Sequence, residues 1–182
     1  MKLGSIIERL REQCPTLEGR VGGAAEYGAL AAKTNVKTPY AFVLPLGETA
    51  DYYTFNENQY RQGVVAQFGV LLYLTLANDV TARRAYDYSQ DIKKEVFKAI
   101  LGAALPDTDP ITYDGEAVID VSKARLMVQW EFNVPYDIDW RETAQGVEIE
   151  ALGELEGIDA QIDPAPADYV DGVKFSINMK GG

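Results

Sequence analysis

The stretch that most limits the possible folds is residues 60–76, Tyr-Arg-Gln-Gly-Val-Val-Ala-Gln-Phe-Gly-Val-Leu-Leu-Tyr-Leu-Thr-Leu. Phe68, Val70, Leu72, Leu74 and Leu76 alternate onto one face. Gly69, Leu71, Tyr73 and Thr75 make the other face largely apolar as well. A strand apolar on both faces belongs inside a sheet, covered at least in part on each side. Its length demands two neighbours. Residues 39–46 supply one candidate, with Pro39 and Pro45 marking an edge or kinked strand because neither can donate to a ladder. The late segment 124–134 supplies another. Ala124, Leu126, Val128, Trp130, Phe132 and Val134 alternate with Arg125, Met127, Gln129, Glu131 and Asn133, the pattern of a half-buried antiparallel strand that Pro135 is expected to end.

Two helices should cover this sheet. Leu3, Ile6, Ile7, Leu10 and Cys14 fall at helical spacing, Ser5-Ile-Ile-Glu8 reads as a capping box, and Pro15 closes the segment. Cys14 on that stripe reads as a small core residue. A second helix spans 82–101, with Thr81 as its cap and Gly102 and Pro106 as its stop. Its inward face reads as Ala85, Tyr88, Ile92, Val96, Ala99 and Ile100. Residues 24–32 suggest a short Ala-rich helix, residues 47–58 a polar connection holding Tyr52, Tyr53 and Phe55, and 111–113 and 117–121 two short strands. Helices and strands do not alternate strictly. The fold class is therefore α+β: a mainly antiparallel β-sheet with two main helices packed on one face, plus an extended C-terminal arm.

Charge sets the boundary of that arm. Residues 1–136 hold 14 Lys+Arg and 17 Asp+Glu, whereas 137–182 hold 3 and 11, so most of the formal charge of −11 lies in the last quarter. We divide the chain into a body, 1–136, and an acidic arm, 137–182. Gly146-Val-Glu-Ile-Glu-Ala-Leu152 and Val173, Phe175, Ile177 and Met179 give the arm two alternating, strand-like pieces suited to adding to a sheet edge. The candidate interface residues are Tyr52, Tyr53 and Phe55 in the connection and Val173, Phe175 and Ile177 in the arm.

The search for chemistry returns little. The chain has no histidine and one cysteine, so histidine-dependent triads, a zinc site and an intrachain disulfide are not expected. Gly19, Gly22, Gly23 and Gly28 lack the spacing of a phosphate-cradling loop. The carboxylate pairs Asp107/Asp109, Asp114/Glu116 and Asp137/Asp139 sit at turns and strand ends, where acids serve turn chemistry. No catalytic, cofactor-binding or metal-binding residue is assigned. The acidic balance disfavours direct nucleic-acid binding, no run is long enough to span a membrane, and no signal peptide is expected.

Several segments carry a resemblance. The opening amphipathic helix, Thr38-Pro-Tyr-Ala-Phe-Val-Leu-Pro45, Gln67-Phe-Gly-Val-Leu-Leu-Tyr-Leu, the helix Asp91-Ile-Lys-Lys-Glu-Val-Phe-Lys-Ala-Ile-Leu and Ala124-Arg-Leu-Met-Val-Gln-Trp-Glu-Phe-Asn-Val together resemble the tail terminator (tail completion) proteins of long-tailed bacteriophages, over roughly residues 3–136. The resemblance implies a non-enzymatic virion component, assembled in the host cytoplasm and placed at the neck of the tail. It implies a homo-oligomeric ring, hexameric in the family, that caps the tail tube, stops its polymerisation and meets the tube protein and the head-completion or connector proteins. DNA would pass through the lumen unbound, and acidic walls would repel its phosphates. The alternatives are another connector or a tube subunit, a small acidic metal-dependent enzyme, and a module whose Tyr-rich loop grips a peptide.

Overall fold

The computed structural model describes residues 2–30, 36–56, 59–76, 82–122, 124–151, 159–162 and 175–178. Helix α1, Gly4–Gln13, buries Ile6 and Leu10. Helix geometry stops before Pro15, whose ring disfavours helical backbone at the preceding residue, and Cys14 adopts φ −110° and ψ 86°. The expected capping box does not form. The helix already begins at Gly4 with Leu3 as its cap, so Ser5 lies inside the first turn and its hydroxyl donates back to the Lys2 carbonyl. A 3-10 turn, Pro15–Leu17, follows. Glu18 and Gly19 then take left-handed φ values of 47° and 73° and reverse the chain into strand β1, Val21–Gly22, and helix α2, Ala24–Leu30.

Strand β2, Tyr40–Ala50, is longer than expected. Pro45 does not end it; a bulge between Pro45 and Gly47 absorbs the irregularity and pairing continues from Gly47 opposite Gln67 to Ala50 opposite Val64. The segment expected as one polar connection is therefore strand up to Ala50, then a three-residue break at 51–53, then β3, Thr54–Asn56. Strand β4, Gln59–Thr75, is the long central strand. It lies between β2 and β6, Arg125–Asp139, and the main sheet has the order β1-β2-β4-β6-β5, with β3 also pairing β4. Strand β6 runs through Pro135 rather than stopping there. The Pro135 carbonyl instead accepts the Asp109 amide. Strand β5, Thr112–Val121, is continuous where two pieces were expected, with irregularities between Tyr113 and Gly115 and between Val118 and Asp120. Across β4 and β6, contacts pair Leu76 with Ala124, Gln67 with Asn133, and Arg61 with Asp137. The numbering falls on one strand as it rises on the other, so the run β2-β4-β6-β5 is antiparallel throughout.

Helix α3, Arg83–Ile100, starts from Ala82, which has a left-handed φ of 55° and makes no side-chain cap; Thr81, the expected cap, lies outside the described residues. Its buried line is Ser89, Ile92, Val96, Ala99 and Ile100. Tyr88, expected inward, is 42% exposed. Ser89 takes that place because its hydroxyl satisfies itself on the Tyr86 carbonyl at 2.7 Å. Gly102, with φ +77°, closes the helix, and its amide donates to Ile111.

Both main helices pack on one face of the sheet, as expected. Ile6, Leu10, Ile92, Val96 and Ile100 share one buried cluster with Val43, Phe68, Val70, Leu72, Val128, Trp130, Phe132 and Val134. Phe68 and Phe132 stack at 5.2 Å between centroids, and Phe97 meets Phe132 edge-on. Cys14 lies in the same cluster. Burial first, and the nearby Glu95 charge second, push its thiol up to about 12, so it is chemically quiet at neutral pH. The opposite face carries a smaller cluster, Phe42, Leu71 and Met127, bordered by Tyr27, Tyr40, Leu44 and Tyr73. Gly69 lies on this face close under Gln129: a β-carbon there would sit 3.1 Å from the Gln129 side chain, which would have to shift by a few tenths of an ångström.

The chain divides into two compact units: Met1–Thr54 with Arg61–Ile138, and Phe55–Tyr60 with Asp139–Gly182. In the second unit, Asp139 caps a 3-10 turn, Trp140–Glu142, through a complete capping box with Glu142. Helix α4, Ala144–Ala151, follows, and Tyr60 donates its amide to Gln145. The 146–152 stretch expected as strand-like is helical through Ala151. Gly146 permits this: a β-carbon there would lie 2.7 Å from the Arg141 carbonyl oxygen. Strands β7, Asp159–Ile162, and β8, Phe175–Asn178, form an antiparallel pair.

Candidate interface

Three features of the first unit stand out as candidates for recognition: the break after β2 at 51–53, the outer edge of β5, and a polar cluster that fastens β5 to α3. The break presents Tyr52 at 94% exposure and Tyr53 at 54%. Both rings are large and amphipathic, the type of side chain that anchors protein contacts. Phe55 lies on β3; Val173 falls outside the described residues. Phe175 and Ile177 are on β8, paired with Ile162 and Ala160.

The β5 edge was not singled out from sequence. The sheet order leaves β5 at one end of the main sheet, and Val118, Ile119 and Val121 are each about half exposed. Among the described residues no strand pairs with this outer edge, and apolar side chains on such an edge mark a surface that natural sequences normally blunt with charge. The signal was present as Ala-Val-Ile-Asp-Val, an apolar run without clean alternation. The irregularity between Val118 and Asp120 explains that lost alternation.

Glu116 organises the fastening. Its carboxylate accepts from Tyr86 Oη at 2.8 Å, Gln90 Nε2 at 3.1 Å, Lys93 Nζ at 2.8 Å and Trp130 Nε1 at 3.1 Å. Lys93 also donates to Tyr113 Oη at 2.9 Å and sits 4.7 Å from that ring's centroid. Both charged side chains are about 15% exposed. Burial pushes the Glu116 pKa up, but the hydrogen bonds from Lys93, Tyr86 and Gln90 and the Lys93 charge outweigh it and bring the carboxyl to about 2. The Lys93 ammonium is likewise opposed by burial, yet the bonds to Glu116 and Tyr113 raise its pKa.

A folded-state value near 2 against an ordinary 4.5 fixes the sign of an acid effect. Glu116 contributes stability that is fully present above about pH 4.5 and is lost as pH falls toward 2. Partial exposure and screening hold this to roughly 2 kcal/mol. Denaturant titrations at pH 6 and pH 3 should show a smaller loss for Glu116→Gln than for the wild type.

Three other acids of the carboxylate pairs are used locally. Asp114 accepts from Asn133, Asp137 pairs with Arg61, and Asp139 caps its turn. Among the described residues, no group of three or more His, Cys, Asp or Glu side chains is arranged to hold a metal ion, and no helix is long and apolar enough to cross a membrane.

The family model for the phage tail terminator protein matches residues 1–143. The chain belongs to the phage tail terminator family. That match takes in the whole main sheet, both main helices and the capped turn at Asp139. No curated protein matches the chain. As a family member the protein is a structural component of the bacteriophage tail and acts in tail assembly, a role that entails contacts with other tail or head proteins.

Proposed function

We propose that the protein forms a closed ring, hexameric as the family resemblance implies, on the end of the tail tube. There it stops tube polymerisation and offers its other side to the head-completion or connector proteins at the neck. The protein works without catalysis or cofactor and is assembled in the host cytoplasm. The observation that carries the proposal is the family match across residues 1–143. Two physical features support it. A head-to-tail contact closes into a ring when its rotation divides evenly, and this sheet has an apolar free edge available for such a contact. DNA passes through the lumen without specific binding, consistent with a formal charge of −11.

Solution behaviour separates this role from that of a tube subunit. Sedimentation velocity of the purified protein should give a single discrete ring that does not grow on standing, and the ring should halt elongation of purified tube protein. Spontaneous growth into long tubes would assign it to the tube instead.

The body and arm keep separate duties in this reading. Residues 1–136 make the ring, and the acidic residues 137–182, with Phe175 and Ile177 on β8 and Val173 beside them in sequence, order against a neighbouring protein. Tyr52, Tyr53 and Phe55 serve a second contact. Deleting residues 144–182, beyond the family match, should leave a cooperatively folding body with an unchanged thermal midpoint and weakened assembly. Loss of the folding transition would show that the arm belongs to the core.

A further inference from the structure

Among the described residues the main sheet has two free edges, and their geometry is matched. On one side, among the described residues, β5 pairs only with β6. On the other, β1 covers β2 only at Ala41 and Phe42, so among the described residues the outer side of β2 from Val43 to Ala50 has no strand partner. An unpaired strand edge presents alternating amide donors and carbonyl acceptors, and the group that satisfies such a row is another extended strand.

The two edges lie at the same levels of the sheet. Gly47 is opposite Gln67, Gln67 donates to Asn133 at 3.1 Å, and Asn133 is opposite Thr112. Leu44 is opposite Gly69, Gly69 abuts Gln129, and Gln129 is opposite Ala117. The run β2-β4-β6-β5 contains four antiparallel strands, so its outer members point in opposite directions. A second copy placed beside the first in the same orientation therefore brings its β2 antiparallel to the first copy's β5. The alternation continues without a break. Each edge also carries exposed apolar side chains, Leu46 on β2 and Val118, Ile119 and Val121 on β5. The nearest ionised groups on β5 are already engaged: Glu116 with Lys93, and Asp120 with Arg125.

From this we infer that a second copy of the chain docks edge to edge, its β2 adding to β5, so that neighbouring subunits share a continuous antiparallel sheet. The Glu116 cluster then acts as a positioning device, holding β5 against α3 while its outer edge is engaged. This inference rests on the ring reading and specifies which surfaces make the ring.

Cysteine pairs test it. Thr49 and Thr112 are both exposed, and they lie near opposite free edges on the helix-free face. Thr49→Cys, Thr112→Cys and the double variant should each fold with the circular-dichroism spectrum of the wild type, while buried Cys14 stays unreactive. Treated with a short bismaleimide at assembling concentration, the double variant should give a covalent ladder ending at the ring mass, and neither single variant should give more than monomer. Amides of 43–50 and 112–118 should exchange at least tenfold more slowly in the ring than in dissociated subunits. Covalent dimers from Thr112→Cys alone would mean that β5 meets β5, overturning the inference. Rings that form without cross-linking or edge protection would overturn it and leave the ring reading standing. Absence of any ring in the wild type would remove the ring reading and the inference with it.

Discussion

Replacing Trp130 with alanine should cost about 3–5 kcal/mol, the range for emptying a fully buried aromatic site. Trp130 has no exposed surface and is the largest side chain in the main cluster. It sits on β6 between the strand that carries Glu116 and the central strand β4. Its loss opens a cavity under α3 and removes the indole donor at 3.1 Å from Glu116. For a chain of this size the thermal midpoint should fall by roughly 10–15 °C. Trp130→Phe separates the two contributions. It keeps most of the ring volume and loses the N–H donor, so about 1–2 kcal/mol should be lost. Equal losses for the two variants in urea titrations would show that packing at this site is not what matters.

Glu116→Ala has the second large effect, about 2–4 kcal/mol at neutral pH. Four donors from α3 and β6 converge on this carboxylate, and its removal leaves the Lys93 ammonium, itself only 16% exposed, without its counter-ion. Lys93→Met in the same background should recover part of the loss, because an apolar side chain of similar length does not need a counter-ion. A double-mutant cycle over Glu116 and Lys93 should return a coupling well above the fraction of a kcal/mol found for exposed pairs. Coupling near zero would mean the pair is solvated and does not fasten β5 to α3.

The sheet and its two helices were legible because their signals repeat. Within residues 60–76 the chain alternates over nine positions, 68–76, on two largely apolar faces, and α1 is bounded by Pro15, whose effect on the preceding backbone is local and steric. What stayed hidden has a common physical origin in single-residue geometry. A bulge shifts the register by one residue without changing composition. Leu46 in β2 and Ile119 in β5 therefore disguised a long strand as a loop and an edge as an irregular run. The capping-box pattern stands at Ser5–Glu8 and at Asp139–Glu142 alike, yet of these two it forms only at the second. Its residues are necessary for the box, but where the helix starts depends on packing. Val147 and Ile149 alternate like a strand, yet the segment is helical and both are exposed. Seven residues are too few for period alone to decide. The Glu116 cluster was invisible as a site because its members are scattered from Tyr86 to Trp130, and the topology alone brings them together.

The functional account turns on position in the particle. Cryo-electron microscopy of intact virions, at a resolution that traces the four-stranded run from β2 to β5, tests it directly. The account predicts one ring of this chain between the end of the tail tube and the connector. Many stacked rings along the tube, or density for this chain at the distal tip, would contradict it.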